Sequence, residues 1–359
     1  MLLSEVKMMS RFFSNKYKEL KPYTPGEQPQ DQKYVKLNTN ESPFPPSPLA
    51  VEYAKREAEK LNLYSDPTCK PLCEELAKTY DLKPENVICT NGSDEVLDFV
   101  FKCYCDDDIP VAFPNISYGF YPVYAKANRV PFVEIPLKND FTIDVNDYLG
   151  INKTIIIANP NAPTGIALEL SDIENIVKSN PDNIIVIDEA YVAFGADSAV
   201  DLVKKYDNLI VIGTYSKAMS LAGARLGFAF ADEKLISDLN TLRYSTNPYN
   251  VNRMTMFAGI GALQDAEYTK KNLETIIENR EYTVNELEKL GFEILTSKAN
   301  FIFAKSSKID GKELYLELKK RGVLVRHFTK EQISNFVRIT IGTKEQMDIL
   351  LQKIKEVLS

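Results

Sequence analysis

The sequence predicts an α/β protein with three parts: an extended N-terminal arm, a large doubly wound and mostly parallel sheet, and a smaller α+β domain. Three observations carry this. The runs Thr154–Ala158 (TIIIA), Asn183–Asp188 (NIIVID) and Leu209–Thr214 (LIVIGT) are β-branched and continuously apolar instead of alternating, as in strands covered on both faces. Segments of helical period, such as Ser171–Ser179, separate them, and strand–helix alternation builds a parallel sheet with helices on its faces. A long charged helical stretch beyond Ala266 then leads into a second strand–helix–strand set.

Taken in order, residues 1–45 read as the arm, because KPYTPGEQPQ and NTNESPFPPSP are too rich in Pro, Asn and Gly for a packed element. Residues 46–270 read as the large domain. Within it, Asn86–Thr90 (NVICT) is a short buried strand, Asn91-Gly92 a turn, and Ser93 the expected N-cap of a helix. Asp94 and Glu95 suit the first turn of that helix, and Val96, Leu97, Phe99 and Val100 supply its apolar face. Residues 271–359 read as the small domain. The helix YTKKNLETIIENREYTVNELEKLG enters it, followed by the strands FEILTS and NFIFAK, the helix GKELYLELKKRG, and the strands VLVRHF and FVRITIG.

Composition narrows the function. A formal net charge of −7 argues against nucleic acid as the main partner, since phosphate backbones need a basic face. No apolar run approaches the about 20 residues that span a bilayer. The N-terminal MLLSEVKMMSRFF lacks the apolar core and small-residue site of a signal peptide, which makes the cytoplasm the expected location. Five cysteines at irregular spacing and a single histidine, His327, offer no usual zinc pattern and no histidine-based triad. Catalysis has to rest on Lys, Tyr, Asp or a cofactor.

Three predicted strands end in polar residues. TIIIA runs into Asn159–Gly165 (NPNAPTG), NIIVID ends on Asp188 ahead of Tyr191, and LIVIGT runs into Tyr215-Ser216-Lys217. Ligands of open α/β sheets bind outside the carboxyl ends of the strands, so these residues converge on one crevice. A buried lysine is costly unless neutralised or used covalently, and Lys217, between Thr214, Ser216 and Arg225, suits a Schiff base to an aldehyde cofactor. With pyridoxal 5'-phosphate as that cofactor, Asp188 would pair with the ring nitrogen, Tyr191 would donate to the ring oxygen, and Tyr118 would stack on the ring. The amides of Gly92, Ser93 and Asp94 would form an anion site at a helix start, with Thr214, Ser216 and Arg225 completing the phosphate grip. Singly, each residue has a plainer reading: a loop carboxylate, a packing aromatic, a helix start, a surface ion pair. Their coincidence on strand ends favours the cofactor.

These motifs, with PYTPG at Pro22, LNTNESP at Leu37, YSDP at Tyr64, SYGFY, DEAY, YSKAMSLAGARLGF and FVRITIGT at Phe336, resemble the fold-type I, class I/II pyridoxal-phosphate aminotransferases over nearly the whole chain. Within that group they are similar to the subfamily acting on histidinol phosphate. The resemblance implies that Lys217 is the Schiff-base lysine and general acid/base. It implies that Arg338 binds the carboxylate of glutamate and 2-oxoglutarate and the substrate phosphate, with Tyr23, Asn40 and Arg326 also at the substrate. It further implies that Tyr64 reaches the cofactor phosphate of a partner subunit, hence a homodimer. The family usually has Asn directly before Pro-Thr-Gly, where this chain has Ala162; either Asn161 substitutes through a shifted turn, or Tyr191 alone bonds the ring oxygen. Threonine-phosphate decarboxylases and broad aromatic-amino-acid aminotransferases share the scaffold, and cofactor-sensing regulatory domains share part of it.

Overall fold

A computed structural model of the chain describes residues 10–359; the expectations for residues 1–9 lie outside the described residues. The chain begins with an arm that contributes β1 (Val35–Lys36), then two helices, α1 (Pro48–Ala58) and α2 (Lys70–Thr79). The large sheet draws on β2 (Val87–Thr90), β3 (Val111–Pro114), β4 (Phe132–Ile135), β5 (Thr154–Ala158), β6 (Ile185–Asp188), β7 (Leu209–Thr214) and β8 (Gly227–Ala231). Its helices are α3 (Ser93–Tyr104), α4 (Tyr121–Asn128), α5 (Leu170–Ser179), α6 (Glu233–Thr246) and α7 (Arg253–Gln264).

The sheet has seven strands in the order β2-β8-β7-β6-β5-β3-β4. The run from β7 to β4 is parallel throughout, and β8 alone is antiparallel to its neighbours. The three apolar runs of the sequence are adjacent central strands. Their side chains alternate between two cores: Ile155 and Ile157 join one face with Ile187 and Val211, while Ile156 joins the other with Val186 and Ile212. This is why their sequence reads as unbroken apolar residues.

A long helix, α8 (Ala266–Lys289), leads to β9 (Phe292–Ile294), β10 (Phe301–Ser306), α9 (Gly311–Lys320), β11 (Val323–Leu324), β12 (Arg326–His327), β13 (Phe336–Thr340) and α10 (Lys344–Leu358). The small sheet is antiparallel, in the order β12-β13-β10-β9. It packs its own core from Ile302, Leu318, Val337 and Leu350.

Three local expectations change. Gly92, not Ser93, caps α3: its φ of 78° makes the turn, and Ser93 is the first helical residue. VLVRHF is not one strand but two, broken at Val325. The arm is also not wholly free of pairing, because β1 runs parallel to β11 and Leu37 is buried in the small-sheet core. A two-residue ladder is too short to leave a period in the sequence, and its partner lies near the other end of the chain.

Candidate active site

β6 delivers Asp188 to the carboxyl edge of the large sheet, where it is only 5% exposed. Its Oδ2 accepts from the Tyr121 hydroxyl at 2.9 Å and its Oδ1 from the Ala190 amide at 3.2 Å. Burial pushes the carboxyl pKa up to about 6, against the opposing pull of those two hydrogen bonds. A buried carboxylate held by neutral donors favours a cationic neighbour, because desolvation of the charge is otherwise uncompensated. Asp188 lines a cavity of about 280 Å³ together with Ser93, Asp94, Tyr118, Tyr191, Thr214, Ser216, Lys217 and Arg225.

The far end of this cavity is an anion cradle. Thr214 ends β7, and the loop from β7 to β8 carries Ser216 and Arg225 back past the start of α3. The Thr214 hydroxyl accepts from the Ser216 amide at 3.1 Å and lies 3.0 Å from the Ser216 hydroxyl. Arg225 Nη2 donates to Asp94 Oδ2 at 2.9 Å, and the Tyr118 hydroxyl donates to the other Asp94 oxygen at 2.9 Å. Two glycines keep the cradle open. A Cβ on Gly92 would stand 2.5 Å from the Arg225 guanidinium, and one on Gly227 would stand 2.3 Å from the Ser93 amide nitrogen. The Gly92 amide, expected at the anion site, instead donates to the Thr90 carbonyl at 2.9 Å, which leaves the Ser93 and Asp94 amides there. Two amides at a helix start, a guanidinium and two hydroxyls fit a phosphate. At the other end, a carboxylate with no cation fits a protonated ring nitrogen.

Lys217 stands between the two. Its Nζ donates to the Thr39 carbonyl at 3.3 Å. Burial, and then the Arg338 charge, bring its pKa down to about 8, with Glu41 pulling the other way. An amine half-neutral near pH 8 is a competent nucleophile and proton carrier. The Tyr191 hydroxyl accepts from Asn40 Nδ2 at 2.9 Å, which leaves its own proton to donate into the cavity, and the ring is braced edge-on by Phe301 at 5.0 Å.

Asn161 requires a correction. Its amide donates to the Ile116 carbonyl and the Thr164 hydroxyl, both at 3.0 Å, and its Oδ1 accepts from Ser117 at 2.8 Å. The side chain is spent on closing the turn, and Ala162 occupies the cavity wall instead. Asn161 therefore does not line the cavity, which removes the shifted-turn alternative and keeps the one that rests on Tyr191 alone.

A second cavity of about 550 Å³ adjoins the first and shares Thr39, Tyr118, Ala162, Tyr191 and Lys217 with it. Arg338 and Arg326 are register partners on β13 and β12 and both line it. Arg338 Nη2 donates to the Asn38 carbonyl at 3.2 Å, while its buried Nε has no partner among the described residues. Arg326 donates to the carbonyls of Thr24 at 3.0 Å and Pro25 at 3.2 Å, tying the arm over the cavity. Tyr23 closes the roof, stacked on Phe120 at 4.4 Å. Tyr64 lines neither cavity; it is 79% exposed and stacks on Tyr249 at 4.5 Å.

Sequence reasoning missed Tyr121, Thr39 and Glu41. Tyr121 and Glu41 stand inside quoted motifs, SYGFY and LNTNESP, which was the available signal. The part played by Thr39 is a backbone carbonyl, which leaves no trace in residue type. Among the described residues, no group of three His, Cys, Asp or Glu could hold a metal ion, and no helix is long and apolar enough to cross a membrane.

Residues 32–354 match the family described as aminotransferase class I and II. The chain is 49% identical to the histidinol-phosphate aminotransferase of Brachyspira hyodysenteriae, over 98% of this chain and 99% of that one. It is 44% identical to the protein of the same name from Clostridium botulinum, again over 98% and 99%. Its fold is similar to the histidinol-phosphate aminotransferase of Sinorhizobium meliloti in complex with pyridoxal-5'-phosphate, with a TM-score of 0.83 at 22% identity, over 91% of this chain and 92% of that one.

Proposed function

The chain belongs to the class I and II aminotransferases, and from that premise we propose that it moves an amino group between L-histidinol phosphate and 2-oxoglutarate, giving imidazole-acetol phosphate and L-glutamate, with pyridoxal 5'-phosphate as cofactor. The observation that carries the reading is one connected space. It holds an anion cradle, a buried carboxylate without a cation and a buried lysine, and it opens onto a chamber with two arginines.

The residues would hold the cofactor as follows. Ser93, Thr214, Ser216 and Arg225, with the α3 amides, take the phosphate; Asp188 takes the ring nitrogen, and Tyr191 donates to the ring oxygen. Tyr118, anchored through Asp94, covers the ring. When bound, the cofactor withdraws electrons from the substrate Cα, which makes its proton removable. Lys217 would hold the cofactor aldehyde, and its amine would carry a proton to and from the substrate Cα. The Thr39 carbonyl is placed to hold the free amine close by. Arg338, whose Nε has no partner and which pairs with no carboxylate among the described residues, takes the glutamate carboxylate or the substrate phosphate by a charge-assisted fork. Arg326, Asn40 and Tyr23 complete the chamber.

The same reading makes the protein a cytoplasmic homodimer, in which the exposed Tyr64 reaches the partner's cofactor phosphate. Identity of 43–49% to histidinol-phosphate aminotransferases over nearly full length favours this substrate over threonine phosphate or aromatic amino acids. The test supplies the cofactor-loaded protein with histidinol phosphate and 2-oxoglutarate and measures glutamate. Phenylalanine, tyrosine and threonine phosphate are run in parallel, the last with carbon dioxide detection. Faster carbon dioxide release from threonine phosphate, or no glutamate from histidinol phosphate, sinks the assignment.

A further inference from the structure

Away from both cavities, one cluster of nucleophilic side chains has no part in the proposed reaction. α2 and α6 both pack against β2, the edge strand of the large sheet, and leave a groove of about 780 Å³. Cys73, on α2, lines this groove and is 6% exposed, whereas Cys89, on β2, has no exposure at all. The two sulfurs are 3.6 Å apart, thiol against thiol. Arg243, on α6, lines the same groove, is 2% exposed, and its Nε has no partner among the described residues. A guanidinium buried without its full set of partners favours an anion beside it.

The pair is unsymmetrical in reach and in charge. The hydrogen bond with Cys89, and then the Arg243 charge, hold the Cys73 thiol below its ordinary value against burial and the Asp66 charge. The same contact, together with burial, pushes the Cys89 thiol well up. The other cysteines lack this arrangement: burial pushes the thiols of Cys69 and Cys105 up to about 12 and that of Cys103 up to about 11. Thiolate character and access decide which cysteine an oxidant finds.

We infer that Cys73 and Cys89 form a peroxide-oxidisable thiol pair, with Cys73 the attacking sulfur at the groove and Cys89 the resolving sulfur behind it. The Cys73 thiolate attacks one oxygen of a hydroperoxide; the O–O bond breaks, hydroxide or alkoxide leaves, and Cys73 becomes a sulfenic acid. Cys89 then loses its proton and displaces the sulfenic oxygen, which leaves as water as the S–S bond forms. Two thiols and one hydrogen peroxide give one disulfide and two waters, a two-electron oxidation of the pair. The sulfurs are already in contact, so closing the bond asks for a movement of roughly 1.5 Å. Cys89 stands on the strand that leads into the Gly92 turn.

The experiment uses the cofactor-loaded protein, reduced, freed of reductant and exposed to hydrogen peroxide. Remaining thiols are blocked with N-ethylmaleimide and the digest is mapped by mass spectrometry. The expected product links the Cys73 peptide to the Cys89 peptide and is reversed by dithiothreitol. In Cys89→Ser, Cys73 is expected to stop at the sulfenic acid and be trapped by dimedone; in Arg243→Met, oxidation of Cys73 is expected to slow by ~10-fold. First oxidation at Cys103 or Cys69 while Cys73 stays free, or absence of the 73–89 link in the wild-type protein, overturns the inference. The wild-type map decides the matter even where a variant fails to fold.

Discussion

The cofactor crevice and the arginine chamber share a wall at Lys217 and Tyr191, yet they are assembled in opposite ways. The crevice hangs from strand ends of the large sheet, the adjacent central β6 and β7 and the edge strand β2. Asp188 closes β6, Thr214 closes β7, and the α3 start follows β2, so each group is fixed by an element buried on both faces. The chamber is made of an arm held down by side chains from the far end of the chain. Arg326 holds the Thr24 and Pro25 carbonyls, Arg338 holds that of Asn38, and Glu27 accepts from Tyr315 and Lys319. On the proposed function, the difference separates chemistry from selection. Groups that must not move are built into the sheet, and groups that must admit a substrate are built into a strap.

The largest effects should come from the crevice. Lys217→Ala is expected to lower the turnover number by at least ~10³-fold with little change in substrate KM, since it removes the proton carrier. Asp188→Asn should cost ~10²–10³-fold in turnover and also weaken cofactor retention, measured by dialysis. A Lys217→Ala protein that still turns over at the wild-type rate would break the division between the two regions.

The chamber should answer in KM. For Arg338→Ala we expect the KM for glutamate to rise ~30–100-fold, the loss of about 2–3 kcal/mol of charge-assisted bonding, with turnover held within about threefold. Equal falls in turnover and turnover/KM would mean that Arg338 acts on the chemical step instead.

A pH profile sharpens the shared wall. Cofactor capture by the cofactor-free protein needs neutral Lys217, so its rate should rise with pH through about 8 and then level off. Arg338 is a positive neighbour that disfavours the ammonium, so Arg338→Ala should move the midpoint upward. Glu41 favours the ammonium, so Glu41→Gln should move it downward. Identical midpoints in all three proteins would show that the two regions are not electrostatically joined. The smallest effect is expected for Arg326→Ala. It should raise the substrate KM by ~3–10-fold and increase protease sensitivity around Thr24, because backbone carbonyls occupy its fork.

Legibility in the sequence follows the same divide. The placement of Asp188 and Lys217 on one crevice could be read because a buried strand followed at once by polar residues is a local pattern with a local meaning. The NGSDE turn, directly after the NVICT run, could be read for the same reason, although Gly92 took the cap that Ser93 was expected to hold. Asn161 could not. Which residue of NPNAPTG faces the cavity depends on how the turn closes on Ser117 and Ile116, more than 40 residues upstream. The β1–β11 ladder was equally hidden, since two residues carry no period.

The sequence by itself determined the inventory: a carboxylate at one strand end and a lysine just beyond another, a glycine in the turn that opens α3, and arginines near the C-terminus. Only the tertiary structure decided that these groups form one space and that the Lys217 amine titrates near 8 instead of at its ordinary value. The physical reason is that desolvation and charge act through distance in space. The Arg338 and Glu41 charges that set the amine stand on β13 and the arm, far along the chain from the loop that carries Lys217.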